Sequence, residues 1–303
     1  MAKKIEKLTR AENALWPGSG ACPGCGSALL VSYLADILKK TGKNIVFTIP
    51  ASCWTINTGR YPHSFGHEKC TFYLSLFASA VPDAAAFADY LKLRKRNDTV
   101  VVAFCGDGST TDIGFATVSA AATRNDNILY ILNDNEAYMN TGVQKSGSTP
   151  YGAITTTTPK QNPNKFGKKD MALIMAAHHI PYLATAALGS VNLIDDFYGK
   201  IEKAVSREGF KFIHVLTACP PGWKSASDDS MKLAELAVNT NIFPIVECEN
   251  GKWKITHSPS KKADVTEYLK LQGRFSQLTE EEIQKIRSGA NERYEYFKKL
   301  SQN

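Results

Sequence analysis

The feature that most constrains the fold is a strand–helix–strand pattern in the middle of the chain. Thr99–Phe104 and Asn127–Leu132 are short, almost wholly apolar runs, and Asp112–Arg124 between them has apolar residues at helical spacing. Strands without polar alternation, separated by helices, are typical of a parallel sheet that helices cover on both faces. We therefore expect an α/β fold with a mostly parallel sheet.

The rest of the chain fits the same architecture. Residues 54–73 contain Gly, Pro and two His, and we predict a loop there. Tyr138–Lys169 has neither strand nor helix periodicity, and loops of that length are usually functional. Further strands are predicted at Asn44–Pro50, at Phe212–Leu216 and around Cys248, and further helices at Ala28–Leu38, Ala78–Leu93, Met171–His179 and Asp195–Ser206.

Two polar motifs follow the paired strands in the middle of the chain. Gly106-Asp107-Gly108 comes after the first strand, and Asn135 lies just past the end of the second. Because the carboxyl ends of parallel strands meet at one edge of a sheet, we expect Asp107 and Asn135 to face one crevice. Their oxygens suit Mg²⁺, which takes its remaining ligands from water and phosphate oxygens. An isolated Gly-Asp-Gly is usually only a turn, but the second motif favours a phosphate-bearing ligand held through a metal.

Four of the seven cysteines are placed for a shared function. Cys22 and Cys25 form a pair on a Gly/Pro-rich turn. This spacing is compatible with a redox pair, half of a zinc site or half of an iron–sulfur site. Cys53 and Cys219 each come just after a predicted strand, so we expect both at the same sheet edge as Asp107.

The other three cysteines say less about function. Cys105 directly precedes the Gly-Asp-Gly turn, Cys248 lies in a predicted strand, and both are expected to pack in the core. The role of Cys70 is open. An odd number of cysteines, with no apolar run behind the N-terminus, favours a reducing cytoplasm over a disulfide framework or secretion.

Composition excludes several classes of protein. Hydrophobic residues make up 43% of the 303 residues and charged residues 21%, as expected for a globular protein and not for a disordered one. The net charge of +7 is spread over the chain, so we do not expect nucleic-acid binding. No stretch reaches the roughly 18 apolar residues of a membrane helix, so no membrane association is expected.

Six segments together resemble a known family. They are ACPGCG at 21–26, GDGSTTDIG at 106–114, NDNEAYMNTGVQKSGSTPYGAITTTTP at 133–159, HHIPYLATA at 178–186, CPPGW at 219–223 and YLKLQGRF at 268–275. In order and over nearly the whole chain, they resemble the β subunit of 2-oxoacid:ferredoxin oxidoreductases, above all that of pyruvate:ferredoxin oxidoreductase. The resemblance implies a thiamine-diphosphate-binding fold and oxidative decarboxylation of a 2-oxoacid.

The resemblance also implies roles for individual residues. Asp107, Asn135 and the carbonyl of Ala137 correspond to the Mg²⁺ ligands, and Asn140 to the asparagine that contacts the substrate. The four cysteines Cys22, Cys25, Cys53 and Cys219 correspond to the ligands of a [4Fe–4S] cluster. The thiamine diphosphate itself would be held by a further set of residues, namely Gly106, Gly108, Ser109, Thr141 and Gly142.

Partners are implied as well. In this family the glutamate that activates thiamine comes from an α subunit, so this chain is expected to be inactive alone. The chain has no eight-cysteine, two-cluster ferredoxin pattern. Electrons are therefore expected to leave through γ- or δ-type subunits, one of them with ferredoxin-like clusters, to ferredoxin. The acyl group is expected to pass to coenzyme A.

Three segments with different roles are expected from these assignments. They are an N-terminal arm with the paired cluster cysteines (1–27), a thiamine-diphosphate- and Mg²⁺-binding α/β domain (28–235) and a C-terminal extension (236–303). The extension is expected to pack on the same domain or on a partner subunit.

One segment departs from the family pattern and leaves the substrate open. Positive or titratable residues concentrate at Arg60, His63, His67 and Lys69. They fit a surface loop and a substrate-facing segment equally well. If the segment faces the substrate, a more anionic 2-oxoacid such as oxalate or 2-oxoglutarate would replace pyruvate. The alternative function is a non-redox thiamine-dependent decarboxylase subunit whose cysteines hold structural zinc.

Overall fold

The computed structural model describes residues 20–58, 69–259 and 262–302. Within these ranges the chain builds one twisted sheet. Its strands are β1 (Asn44–Pro50), β2 (Cys70–Ser75), β3 (Thr99–Gly106), β4 (Leu129–Asp134), β5 (Tyr182–Ala187), β6 (Lys211–Leu216), β7 (Ile245–Glu249) and β8 (Lys252–His257). Their order across the sheet is β2-β1-β3-β4-β6-β5-β7-β8.

The first six strands run parallel, and the last two are antiparallel additions at one edge. β7 pairs antiparallel with β5, and β8 antiparallel with β7. The expected α/β class with a mostly parallel sheet is thus confirmed. Its consequence for function is that β1, β3, β4 and β6 all end at the same edge of the sheet.

Helices connect the strands and cover the sheet. They are α1 (Gly26–Lys40), α2 (Cys53–Thr58), α3 (Ala80–Leu93), α4 (Phe115–Arg124), α5 (Met171–Ala176), α6 (Val191–Val205), α7 (Pro220–Trp223), α8 (Ser230–Asn239), α9 (Val265–Lys270) and α10 (Glu280–Leu300). A single π-helical turn, Gly108–Asp112, joins β3 to α4, and short 3₁₀ turns lie at Ser227–Asp229 and Gly273–Phe275.

Both faces of the sheet are buried, because successive side chains of a strand point to opposite sides. Along β3, Val102 and Phe104 join the core beneath α1 and α6, whereas Ala103 and Cys105 join the core beneath α3 and α4. Cys248 belongs to the second of these cores. The prediction that Cys105 and Cys248 pack as core residues is therefore confirmed.

Several predicted boundaries were wrong. Residues 54–73 are not only loop, since α2 begins at Cys53 and β2 at Cys70. β2 is an edge strand with half of its side chains exposed, so it lacks the continuous apolar run that predicts a buried strand. β5 was missed because half of its six residues are alanine, which lacks the β-branched signature of a strand.

Some predictions fall on parts of the chain outside the described residues. These are most of the N-terminal arm and, in the divergent segment, Arg60, His63 and His67. Lys69 is described, and its ammonium donates to the carbonyl of Gly42 at 3.2 Å. This contact lies at the amino ends of the parallel strands, opposite to the edge that carries Asp107, which favours the surface interpretation for Lys69.

No helix in the described part of the chain is long and apolar enough to cross a membrane.

Candidate active site

A cavity opens where the parallel strands end. Its wall is formed by the residues that follow four of them: Ala51–Cys53 after β1, Phe77 after β2, Asp107 after β3 and Asn135 after β4. The beginning of the long segment, from Ala137 to Thr141, completes the wall. Asp107 and Asn135 therefore face one crevice, as the strand order predicts.

Three oxygen atoms converge in this cavity. The side-chain oxygen of Asn135, as placed, lies 3.1 Å from Asp107 Oδ1 and 2.9 Å from the carbonyl oxygen of Ala137. None of the three oxygens can donate a hydrogen bond to another, so the arrangement needs either a rotated amide or a cation between them. Asp107 and Ala137 are nearly inaccessible to solvent, which makes unpaired oxygens costly there.

The electrostatics of Asp107 favour a cation beside its carboxylate. Burial and the neighbouring Asp134 raise the pKa of the Asp107 carboxyl well above its usual range. The hydroxyl of Ser146 donates to Asp107 Oδ2 but carries no charge. A buried carboxylate in such surroundings ionises readily only with a cation beside it.

Beside this oxygen cluster, the turn after β3 provides room and an unsatisfied donor. The hydroxyl of Ser109 is buried and has no hydrogen-bond partner in the described structure, and the same is true of Ser52 across the cavity. A Cβ built on Gly106 would meet no atom within 4 Å. Gly108 has the opposite environment, because a Cβ there would overlap the ring of Tyr138 at 2.2 Å.

The remaining sequence-predicted residues lie at the rim. Asn140 and Thr141 are exposed and line the mouth of the cavity. Gly142, with φ of +116°, follows them in the turn but is not part of the cavity wall. The positive φ explains the need for glycine at this position.

Below the cavity, a buried ion network holds the strand end that carries Asn135. The carboxylate of Asp134 accepts hydrogen bonds from Ser148 Oγ at 2.6 Å, His214 Nε2 at 2.7 Å and Lys168 Nζ at 3.2 Å. It also accepts from the backbone N–H of Glu136 at 3.0 Å. Burial opposes ionisation of Asp134, but Lys168 and His214 hold the pKa of its carboxyl below the usual range.

Glu136, on the other side of Asn135, is also held by buried ion pairs, and we call these contacts of Asp134 and Glu136, together with Trp223, the clamp. Glu136 is paired with Lys168 at 2.6 Å and with the guanidinium of Arg274, all three lying close together in the interior. That guanidinium also lies 4.1 Å from the ring centre of Trp223, whose indole N–H donates to the backbone carbonyl of Asn135 at 2.8 Å. Sequence reasoning missed this clamp, because its partners come from distant segments.

The clamp predicts an effect for Trp223→Phe. The substitution leaves the buried carbonyl of Asn135 without its donor, so we expect a loss of about 1–3 kcal/mol in the free energy of unfolding, measured with urea. Trp253→Phe on β8 removes the same atoms from a half-buried site and is the control. Equal losses in the free energy of unfolding of the two variants would show that the hydrogen bond from the Trp223 indole does not stabilise the fold.

The long segment after β4 is tied to the sheet edge, in agreement with a functional loop. Ser146 donates to Asp107, Ser148 to Asp134, and Lys168 near the far end of the segment bridges Asp134 and Glu136. Two hydroxyls and one ammonium thus fix the segment to the carboxylates that follow β3 and end β4.

The four candidate cysteines also converge at this edge. Burial raises the pKa of the Cys53 thiol to about 12, and the neighbouring Cys219, Cys25 and Cys22 contribute to this shift. Cys53 further lies in the wall of the cavity that contains Asp107. The cysteine group and the oxygen cluster are therefore neighbours.

Two glycines allow the Cys22–Cys25 turn to approach its partners. The N–H of Gly26 donates to the carbonyl of Ala218 at 2.9 Å, and a Cβ on Gly26 would lie 2.7 Å from the Ala218 nitrogen. Gly24 has φ of +70° and packs against the backbone of Ser227. This close packing brings the turn against the residue that precedes Cys219.

In residues 20–58, 69–259 and 262–302, no three His, Cys, Asp or Glu side chains are grouped closely enough to hold a single metal ion.

Comparison with known proteins defines the class. The family described as thiamine pyrophosphate enzyme, C-terminal TPP binding domain, matches residues 52–215, which contain the whole oxygen cluster. This is more than half of the chain. The fold is thus that of a thiamine-diphosphate-binding domain.

Relatives and a solved structure narrow the class. The chain is 42% identical to pyruvate synthase subunit PorB of Methanocaldococcus jannaschii, covering 91% of this chain and 94% of that one. It is 40% identical to ketoisovalerate oxidoreductase subunit VorB of Pyrococcus furiosus, covering 96% and 94%. A 2-oxoglutarate:ferredoxin oxidoreductase from Magnetococcus marinus has the same fold, with a TM-score of 0.56 at 21% identity over 76% of this chain and 79% of that chain. The chain belongs to the 2-oxoacid:ferredoxin oxidoreductases, as a β-type subunit.

Proposed function

We propose that this subunit carries the catalytic centre for oxidative decarboxylation of a 2-oxoacid, with thiamine diphosphate, Mg²⁺ and one [4Fe–4S] cluster. Cys22, Cys25, Cys53 and Cys219 are the proposed cluster ligands. The observation that carries the proposal is the position of Cys53, in the wall of the same cavity as Asp107 and Asn135. A cluster ligand beside the cofactor site gives electrons a short path out.

The oxygen cluster fits Mg²⁺ in its spacing. Neighbouring ligands of an octahedral Mg²⁺ with bonds of 2.0–2.1 Å lie about 2.9 Å apart. The side-chain amide of Asn135 lies 2.9 Å from the carbonyl oxygen of Ala137 and 3.1 Å from Asp107 Oδ1, so the three groups are close enough to share one cation when the amide presents its oxygen. Asp107, Asn135 and the carbonyl of Ala137 are the proposed protein ligands, and diphosphate oxygens and water would complete the shell.

The polar wall fits a diphosphate. Ser109 and Ser52 offer buried hydroxyls without partners, and Gly106 leaves open space beside them. Gly108 lies beside Tyr138, and Thr141 is at the mouth of the cavity, with Gly142 next to it. These residues are the proposed binding site for thiamine diphosphate.

The chain's own residues then have defined tasks. When bound, thiamine diphosphate supplies the carbon nucleophile and electron sink that a 2-oxoacid needs to lose CO₂. Asp107 and Asn135 orient the metal, and the clamp of Asp134 and Glu136 keeps Asn135 in place. Asn140, at the rim, is the proposed donor of a hydrogen bond to the substrate.

We prefer an iron–sulfur cluster to the alternative, a structural zinc site in a non-redox decarboxylase, because a relative of this chain is named as an oxidoreductase subunit. Crowding and burial disfavour negative charge on Cys53 and Cys219. Iron supplies the compensating positive charge, and burial and hydrogen bonds to sulfur then set the cluster potential.

Partners are needed to complete the centre. We assign the glutamate that activates the thiamine ring to an α subunit, as the resemblance to the family implies. Further γ- or δ-type subunits with ferredoxin-like clusters, ferredoxin as acceptor and coenzyme A as acyl acceptor complete the proposed reaction. The relatives named as subunits PorB and VorB support a multi-subunit enzyme.

The proposed substrate is pyruvate, with oxalate or another 2-oxoacid as the alternatives. Relatives of nearly equal identity are named for pyruvate and for ketoisovalerate, so a branched-chain 2-oxoacid belongs in the comparison.

A substrate panel on the native complex, purified without oxygen, tests this function. We expect a brown complex whose visible absorption bleaches with 2-oxoacid and coenzyme A, and viologen reduction that is fastest with pyruvate. Oxalate, 2-oxoglutarate, ketoisovalerate and an aromatic 2-oxoacid are the competitors. A colourless complex that contains zinc would contradict the redox function, and faster reduction with another acid would correct the substrate.

A further inference from the structure

A second cavity lies behind the clamp and has no role in the proposed reaction. Its volume is about 400 Å³, within the usual range for small-molecule sites. The two cavities share one short segment, in which Asn135 and Ala137 line the cofactor cavity and Glu136 between them lines the second. The opposite wall is α10, with Ile286, Gly289 and Ala290.

The wall combines apolar and cationic side chains. Phe243, Leu269 and Phe275 provide apolar surface. Five cationic residues line the cavity, against two acidic ones, Glu136 and Asp170. The cationic residues are Lys165, Lys168, Lys169, Lys285 and Arg293.

Two of these cations are free of acidic partners. Lys168 pairs with Glu136, Lys169 with Asp112 and Arg293 with Asp170. Lys165 and Lys285 make no ion pair within the described ranges, and the ammonium of Lys285 lies 4.2 Å from the ring centre of Tyr151. The mouth of the cavity is therefore positively charged.

A buried polar atom in the wall also lacks a partner among the described residues. His214 is 3% exposed and uses Nε2 to donate to Asp134, which leaves Nδ1 unpaired. Buried polar groups are nearly always hydrogen-bonded in folded proteins, so this nitrogen favours a polar group inside the cavity.

We propose that this cavity binds an organic acid with an aromatic or branched apolar body. The anionic group lies at the mouth near Lys285 and Lys165, and the body packs against Phe243 and Phe275. A polar atom of the ligand pairs with His214 Nδ1. The site is independent of the proposed function, because it needs neither thiamine diphosphate nor a cluster.

Gly289 offers a variant that closes the cavity without disturbing its wall. A Cβ at this position meets no atom within 4 Å, so a larger side chain has free space in which to lie. Gly289→Leu fills that space, and Gly289→Ala is the matched control. Both changes raise helix propensity in the middle of α10, so neither is expected to unfold the helix.

The probe is 8-anilinonaphthalene-1-sulfonate, an aromatic sulfonate whose fluorescence rises in apolar surroundings. We expect saturable binding, one molecule per chain, in the full chain, in the native complex and in Gly289→Ala. Gly289→Leu is expected to weaken the affinity at least tenfold. Phenylacetate is expected to displace the dye. Acetate, which lacks the aromatic ring, and benzyl alcohol, which lacks the carboxylate, are not expected to displace it.

A second variant, which changes the charge at the mouth of the cavity and not its volume, tests whether Lys285 binds the anionic group. Lys285→Gln is expected to weaken binding of the sulfonate severalfold and to leave unchanged the binding of N-phenyl-1-naphthylamine, which has the same body without the charge. Equal affinity in Gly289→Leu and Gly289→Ala would overturn the proposal. Binding to the isolated chain but not to the native complex would also overturn it, because the cavity would then be a subunit contact.

Discussion

Asp107→Asn is expected to abolish metal-dependent retention of thiamine diphosphate without weakening the fold. The substitution keeps the size of the side chain but removes the charge that holds the metal, so we expect at least about a 100-fold loss of affinity. Burial and Asp134 already disfavour the ionised carboxylate in the metal-free chain. The free energy of unfolding of that chain is therefore expected to stay the same or to rise.

Equilibrium dialysis of thiamine diphosphate with Mg²⁺, on the native complex, measures the first effect, and urea unfolding of the metal-free chain measures the second. Asp98→Asn is the matched control, because Asp98 is an exposed aspartate just before the opposite end of β3. It should leave cofactor retention unchanged. Wild-type retention of thiamine diphosphate in Asp107→Asn would exclude Asp107 as a metal ligand. Loss of iron together with thiamine diphosphate would mean that the cluster site and the cofactor site are not separable.

The sequence was sufficient to predict which strand ends meet. β3 and β4 are apolar, adjacent in the chain and joined by a helix, so their parallel pairing and common edge follow from local pattern alone. The close approach of Asp107 to Asn135 is a direct consequence of that pairing. The same reasoning placed Cys53 and Cys219 at this edge, because each follows a parallel strand.

The clamp around Asn135 could not be predicted in this way. Glu136 and Arg274 are 138 residues apart, and Asp134 and His214 are 80 apart. No periodicity or spacing links such pairs, since they meet only when the sheet and the C-terminal segments are assembled. The one available signal was Arg274 itself, a charged residue between apolar neighbours in the family-like segment at 268–275.

Elements with mixed exposure were missed for a related reason. β2 has an alternating pattern at the edge of the sheet, and α10 is long and largely polar, with only Ala290 and Phe297 buried. Neither has the apolar run that marks a central strand or a core helix. α10 nevertheless forms one wall of the second cavity, so that cavity could not be predicted from the sequence.

Cys53→Ser is expected to eliminate electron transfer while leaving the cofactor cavity in place. Serine is close in size to cysteine but is a poor iron ligand, so the iron content should fall by the amount of one cluster and viologen reduction should fall to background. Retention of thiamine diphosphate should persist, because Asp107, Asn135 and Ser109 are untouched. Iron analysis, the visible spectrum and equilibrium dialysis on one anaerobic preparation of the complex measure all three.

Cys70→Ser is the matched control, because it removes another half-buried thiol, at the amino end of β2 and away from the edge that carries Cys53. Burial alone raises the pKa of Cys70 to about 12, with no contribution from other cysteines, whereas Cys53 responds to three of them. The control is therefore expected to retain iron and activity. Unchanged iron in Cys53→Ser would exclude Cys53 as a ligand, and with it the short path from cofactor to cluster. Equal iron loss in both variants would mean that the loss reflects general damage to the fold and not the removal of a ligand.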